Sequence, residues 1–368
     1  MSTKKDKFSK KDNKYMSLAL TLASLRHGHT GENPSVGCVI VKNDEIISIG
    51  QTGYNGRPHA EYNAIKSSNE NLNGSTMYVT LEPCNHYGKS PPCTKEIIKN
   101  KISKVIYSVQ DIDKKVKGKS FKILRSKNII VKKGLLREEI IHFYKPYFFN
   151  RKNKIPFVTG KIAISKNNLI YSKGTKRITD IHSDKLTHLL RYKNDSLMIS
   201  YKTLNQDNPK LDCRLESLNK YSPKRIILDS NLETNINSYI IRTANKNNTI
   251  IFYKNAIKLK ILEFKKKGVC LIKSNLLKNG DFNIKVILMK LYDLGCRNLL
   301  VEGGNDLSKS MIKKKFFNQF YLFKSPKSLS KLVAHKNFNF FKDLGQKYKE
   351  KKKINTKLGK DSITLYKK

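Results

Sequence analysis

Two short segments constrain this chain more than any others: P-H-A-E at 58–61 and L-E-P-C-N-H-Y-G-K-S-P-P-C at 81–93. They bring one imidazole (His59), one carboxylate (Glu61) and two thiols (Cys84 and Cys93). Proline precedes His59 and both cysteines, and eight residues separate the cysteines. Two thiolates and one neutral imidazole balance a zinc ion and leave its fourth tetrahedral position open to water. Any one of these residues alone reads better as a satisfied buried histidine or a small core cysteine. The four together favour a zinc site.

The geometry carries a condition. Positions i and i+2 of a regular helix lie about 200° apart, so His59 and Glu61 share no helix face. They converge on one metal only if the helix begins at His59, a start that Pro58 suits. A helix opening at Cys93 after Pro91-Pro92, and any helix opening after Cys84, would aim backbone N–H groups at the sulfurs and lower their pKa. Zinc acidifies its water towards neutrality, and Glu61 is then the natural proton carrier to a ring nitrogen and a departing ammonia.

The rest of the chain alternates strands and helices, which implies α/β architecture. Helical spacing of Met16, Leu18, Ala19, Leu22 and Ala23 predicts a first helix over 15–25, after a frayed basic tail at 1–12. Strands are expected at 36–41 and 46–49, a hairpin across Asn43-Asp44, and then at 77–81 and 105–109. Helices are expected at 59–66, 93–99, 121–124 and 140–144. The polar stretch 150–154 sets a boundary between domains 13–149 and 155–368. In the second domain, strands are expected at 157–164, 197–200, 225–228, 250–253, 269–272 and 298–301. Helices fall at 180–191, 256–267 and 282–294, and the lysine-rich end beyond 330 suggests only scattered strands.

With 368 residues, two domains can each bury a core. No apolar run approaches the roughly 20 residues of a membrane span. The Lys-rich start lacks a secretory apolar segment, so a cytosolic protein without membrane attachment is expected. Six cysteines are too few for a disulfide framework in a chain this long, which fits a reducing compartment. Lys and Arg number 74 against 29 Asp and Glu, a formal charge of +45. The excess is mostly Lys spread along the whole length, a compositional bias and not a nucleic-acid patch, so no specific nucleic acid is expected; it would favour phosphorylated substrates.

H-A-E followed by L-E-P-C and a second cysteine resembles the cytidine-deaminase superfamily. The eight-residue spacer departs from that superfamily's usual two. With E-N-P-S-V-G-C-V-I-V upstream, it closely resembles the bifunctional riboflavin-biosynthesis deaminase/reductases. That resemblance implies a cytidine-deaminase-like three-layer domain followed by a dihydrofolate-reductase-like α/β domain. It implies zinc on His59, Cys84 and Cys93, with Glu61 as proton shuttle. The implied first reaction deaminates a diaminopyrimidinone bearing a ribosylamino 5′-phosphate, with Asn33, His86 and Lys89 around the substrate.

The second half matches through G-K-I-A-I-S, R-I-T, H-L-L-R, T-L-N-Q-D-N-P-K-L-D-C-R, I-L-D-S and V-E-G-G. Carried across, Ala163, Thr203, Asp207, Ser230 and the loop from Gly304 contact NADPH. Thr175, Arg191, Leu211, Arg214 and Glu302 contact the pyrimidine. NADPH would reduce the ribosyl group to ribityl. Arg191 and Arg214 suit a phosphate through their forked donors. Two departures stand out. Lys166-Asn167-Asn168 replaces an L-D-G-type turn, and Arg177 stands where Trp is common, able to stack or to pair with cofactor phosphates. Homo-oligomers are expected. Rival readings are a deaminase with a degenerate reductase half, a nucleic-acid deaminase with a basic appended domain, and a zinc-containing nucleic-acid-binding protein.

Overall fold

The computed structural model describes residues 7–88, 90–174, 177–355 and 359–368. The chain divides into two units, with the division between Lys152 and Asn153. Among the described residues no helix is long and apolar enough to cross a membrane.

The first unit runs α1 (Lys10–Leu25), β1 (Gly37–Lys42), β2 (Glu45–Gln51), α2 (Ala60–Ser67), β3 (Thr76–Leu81), α3 (Cys93–Lys99), β4 (Lys104–Val109), α4 (Lys119–Arg125), β5 (Ile130–Lys133) and α5 (Arg137–Asn153). Its sheet is ordered β2-β1-β3-β4-β5. The β1–β2 hairpin is antiparallel, with Lys42 opposite Glu45. Asn43 and Asp44 take φ of 50° and 65°, the left-handed pair that a tight hairpin needs and that Asn and Asp tolerate. Strands β3, β4 and β5 run parallel. Ile106 and Val105 on β4 are fully buried, and truncating either to Ala would cost ~2–5 kcal/mol.

Helices α1 and α2 press so closely on the hairpin that two positions admit only glycine. A Cβ on Gly37 would lie 1.9 Å from the Ala19 carbonyl oxygen, and one on Gly50 2.2 Å from that of Ala60.

Two readings need adjusting here. The first helix begins at Lys10, inside the stretch expected to fray. Ser9 and Asp12 form a capping box: Ser9 Oγ accepts the Asp12 N–H at 3.0 Å, and Asp12 accepts the Ser9 N–H at 2.7 Å. The Tyr78 hydroxyl donates to the same carboxylate at 2.6 Å, tying the helix start to β3. Residues 1–6 of that expected tail lie outside the described residues. The polar stretch at 150–154, where the boundary was expected, contains the division between the units and is helical as far as Asn153. Arg151 and Lys152 suit a helix C-terminus, where the dipole favours cations, and Asn150 is buried. Second, the conditional helix after Cys84 does not form directly behind that residue.

The second unit runs β6 (Phe157–Ile164), β7 (Leu169–Ser172), α6 (Ile181–Tyr192), β8 (Ser196–Ser200), α7 (Tyr201–Asp207), β9 (Lys224–Leu228), α8 (Tyr239–Arg242), β10 (Thr249–Tyr253), α9 (Lys258–Lys266), β11 (Cys270–Lys273), α10 (Ile284–Asp293), β12 (Asn298–Val301), α11 (Asn305–Lys313), β13 (Gln319–Lys324), β14 (His335–Asn337), α12 (Phe341–Lys347), β15 (Glu350–Ile354) and β16 (Ser362–Lys367). Nine strands form one sheet, ordered β11-β10-β9-β8-β12-β6-β13-β16-β15. From β11 to β13 neighbours are parallel, and β16 and β15 close the other edge antiparallel.

The chain therefore steps outward from β8 to β11 and then returns β12 between β8 and β6. Such a reversal opens a crevice at the carboxyl ends of the strands. The end beyond residue 330 is more ordered than expected: β16 pairs along its length with β13, and Phe338, Phe340, Leu344 and Tyr348 join the core. Its aromatic residues are scattered by the lysines between them, so no strand or helix period is visible in the sequence.

Candidate active sites

In the first unit the metal-ligand atoms of His59, Cys84 and Cys93 all lie within 4.8 Å of one another. His59 Nδ1 is 3.4 Å from each sulfur. His59 is the N-cap of α2, with extended backbone at φ −71° and ψ 158°, and Glu61 is the second residue of the helix. This meets the geometric condition on the H-A-E segment, because a residue outside the helical spiral is free to turn its ring towards its neighbour's carboxylate.

Cys84 gains by a different route from the one its sequence position suggests. The backbone N–H of Cys93, at the start of α3, donates to Cys84 Sγ at 3.3 Å, so that helix start serves the Cys84 sulfur and not, as expected, both. The Cys84 thiol is held at about 4, first by its bond with Cys93 and then by His59, against the opposing effect of burial. The Cys93 thiol is pushed well up by its bond with Cys84 and by burial. The bond to Cys84 likewise raises His59. Glu61 is 4 % exposed, and burial pushes its carboxyl up to about 7. A converging Cys₂His set, Cys93 buried and His59 and Cys84 half-buried, with a carboxylate beside it fits zinc with an open position.

Asn33 donates to the Gly56 carbonyl at 2.9 Å, and so pins the turn that leads into Pro58 and His59. His86 lies in the loop between the cysteines, with Nδ1 buried and without a partner among the described residues. Lys89 lies outside the described residues. Sequence reasoning passed over Arg57, whose guanidinium donates to the Ser90 hydroxyl in that same loop. Its only signal was a cation adjoining P-H-A-E.

In the second unit a cavity of about 610 Å³ opens at the carboxyl ends of β8 and β9. Thr203, Ser230 and Gly304 line it, together with Ser200, Asn305 and Lys336. Gly304 caps the start of α11, and a Cβ there would sit 3.0 Å from Thr203 Oγ1, closing the cradle. Asn305 Oδ1 is buried and unpartnered among the described residues. A strand end, a glycine and an uncapped helix start suit a nucleotide's phosphates. Ser200 was findable as the N-cap of α7, where its side chain accepts the Thr203 N–H. Lys336 was not, because it comes from the end of the chain whose folding the sequence left open.

Three residues expected at the cofactor lie outside the lining of this cavity. Asp207 ends α7, where Gln206 donates to its carboxylate. Ala163 is the last residue but one of β6, opposite Phe323. Arg177 pairs with Asp184 at 2.9 Å. The departure at 166–168 is accommodated. Asn168 takes φ 63°, and Asn167 Oδ1 accepts from the Ser165 hydroxyl and the Leu329 N–H at 2.7 and 3.0 Å. Asn at the left-handed position costs less than any residue except glycine.

Of the residues expected at the pyrimidine, Arg191, Arg214 and Glu302 come together. Arg191 donates through Nε and Nη2 to the two Glu302 oxygens, both at 2.8 Å, and through Nη1 to the Asp212 carbonyl at 3.1 Å. Arg214 reaches the same group through His188. Leu211 is 2 % exposed with φ 56°, so its side chain belongs to the core. Thr175 lies outside the described residues.

Comparisons with known proteins cover both units. Residues 9–109 match the family described as "Cytidine and deoxycytidylate deaminase zinc-binding region", and residues 160–338 match "RibD C-terminal domain". The riboflavin biosynthesis protein RibD of Aquifex aeolicus is 34% identical over 358 residues, covering 97% of this chain and 98% of that protein. The RibD of Buchnera aphidicola is 33% identical over 382 residues, covering 95% and 97%. Among solved structures, Acinetobacter baumannii RibD superposes with a TM-score of 0.82 at 25% identity, covering 97% of this chain and 99% of that one. A Thermotoga maritima diaminohydroxyphosphoribosylaminopyrimidine deaminase/5-amino-6-(5-phosphoribosylamino)uracil reductase gives 0.76 at 26%, covering 97% and 98%.

Proposed function

The chain belongs to the RibD family of bifunctional deaminase–reductases of riboflavin biosynthesis, and on that premise we propose how its residues divide the two reactions. The first unit deaminates 2,5-diamino-6-ribosylamino-4(3H)-pyrimidinone 5′-phosphate, and the second reduces the ribosyl side chain of the product to ribityl with NADPH. The observation that carries the first assignment is the convergence of His59, Cys84 and Cys93 within 4.8 Å beside a buried Glu61.

His59, Cys84 and Cys93 would hold zinc, which when bound makes water a nucleophile near neutral pH. Glu61 takes the proton of the attacking water, delivers it to the ring nitrogen, and passes a second to the departing amine, so that water and the amidine become a carbonyl and ammonia. Burial supports this role, because a carboxyl poised near neutrality gives and takes a proton with equal ease. His86 and Lys89 in the spacer meet the substrate, and Asn33 holds the turn beneath it.

In the second unit Thr203, Ser230 and Gly304 line the cofactor cavity, and NADPH when bound supplies the hydride. Ala163, Asp207 and Arg177 stay on the cofactor side of the assignment, with Arg177 needing to leave Asp184 to take part. Arg191, Arg214, Glu302, Leu211 through its backbone, and Thr175 take the pyrimidine.

The test is one sample with zinc content measured and supplied with the diaminopyrimidinone phosphate and NADPH. Ammonia release with stoichiometric NADPH oxidation is expected. Ammonia without NADPH oxidation would remove the reductase assignment and leave the deaminase standing.

A further inference from the structure

We propose that His188 is a positioning residue that aims Arg214 at the phosphorylated pyrimidine while leaving the arginine's charge unspent. The proposal rests on the reading of Arg214 as a substrate contact.

His188 lies on α6, one turn before Arg191 and on the same face, and is 8 % exposed. Arg214 Nε donates to His188 Nε2 at 3.2 Å. An arginine Nε can only donate, so Nε2 must offer its lone pair and the ring is neutral. The ring proton then sits on Nδ1, 3.1 Å from the Asp212 carbonyl. The Arg214 backbone N–H is aimed at that same Nδ1 at 3.2 Å and cannot bond there while Nδ1 carries the proton, so this assignment keeps the Arg214 side-chain bond at the expense of the backbone one. The Asp212 carbonyl also accepts from Arg191 Nη1. A continuous path therefore runs from Glu302 through Arg191, the Asp212 carbonyl and His188 to Arg214.

The two arginines at the ends of this path are treated oppositely. Arg191 has all three guanidinium nitrogens engaged and its charge matched by Glu302. Arg214 is held only by its inner nitrogen; its side chain is 57 % exposed and both terminal nitrogens lack hydrogen-bond partners among the described residues. The Asp212 carboxylate pairs loosely with the same Nε at 3.5 Å, a half-exposed contact that offsets little charge and leaves both terminal nitrogens open. A carboxylate in place of His188 would fix Arg214 equally well but neutralise it. A neutral imidazole fixes the same nitrogen without adding a further opposing charge and leaves the two terminal nitrogens for a phosphate dianion. The charged groups facing His188 are Arg191 on its own helix, Asp212 and Arg214 on the segment after α7, and Glu302 after β12. Burial first, and then both arginines, hold its pKa below the ordinary 6.5, consistent with a neutral ring.

The experiment uses the full-length zinc-loaded chain, with the deaminated pyrimidine phosphate and NADPH as substrates. His188→Ala should raise KM for the pyrimidine about tenfold with kcat changed less than about threefold, and His188→Gln, which can accept and donate in the same places, should restore most of the loss. Added to Arg214→Ala, His188→Ala should cost nothing further, since coupled residues are non-additive. Ammonia release and the thermal midpoint report on folding. If Arg214→Ala raises KM and His188→Ala does not, or if the two losses simply add, the positioning role is overturned and the Arg214 reading survives. If Arg214→Ala itself leaves KM unchanged, both are overturned.

Discussion

Arg191 and Glu302 meet through two parallel N–H···O bonds, both at 2.8 Å, with side chains only 10 and 14 % exposed. They lie on a helix preceding β8 and on the turn leaving β12, and they meet because β12 inserts beside β8. Burial alone would raise the Glu302 carboxyl, but the Arg191 guanidinium, aided by Lys161, outweighs it and holds the carboxyl below its ordinary 4.5.

Glu302→Gln should therefore destabilise the second unit strongly. Removing one member of a buried pair strands the other's charge, at a cost of ~3–5 kcal/mol. Urea titration of the variant against the parent measures it.

The pH dependence follows in sign. A carboxyl whose folded pKa lies below its unfolded value contributes stability that is complete above 4.5 and disappears as pH falls through the folded value. The parent should lose thermal stability below about pH 4.5 more steeply than Glu302→Gln, which has no such proton to take up. Parallel slopes in a melting series would remove Glu302 from the acid response.

Glu61→Gln should keep zinc and lose ammonia release by about 10²–10⁴-fold, the usual worth of a positioned proton carrier. Cys84→Ser should lose the metal as well as the activity. Metal content by mass spectrometry separates the two variants, and an active Glu61→Gln would end the shuttle assignment.

Gly50→Ala should act on the metal site without touching it. The new Cβ meets the Ala60 carbonyl oxygen at 2.2 Å and the Ala64 nitrogen at 2.4 Å, both backbone atoms of α2. The helix must move outward, carrying His59 and Glu61 with it, and overpacking of this kind costs ~1–3 kcal/mol. Weaker zinc retention against a chelator is the expected readout.

Much of the first unit was legible in the sequence because its signals are local. Helix α3 occupies the predicted 93–99, β6 occupies 157–164, and the Asn43-Asp44 turn joins its two strands, since propensity, periodicity and turn chemistry act over a few residues. The Ser9–Asp12 box that starts α1 was equally local and equally readable, yet the surrounding lysines made it look like a tail. The grouping of His59, Cys84 and Cys93 was legible as well, because residue types and proline placement together pointed to three side chains that the fold brings within 4.8 Å.

What the sequence could not decide is which distant segments meet. Nothing local places β12 between β6 and β8, gives β16 to the edge of β13, or brings Lys336 to the cavity at the carboxyl ends of β8 and β9. Those pairings are settled by burial of apolar faces summed over the whole sheet, an energy that belongs to no single stretch. The same holds for the two arginines. The sequence marks both as cations suited to a phosphate, but only the fold decides that Glu302 takes Arg191 in a two-bond pair while Arg214 meets His188 and a loose Asp212 contact through Nε alone.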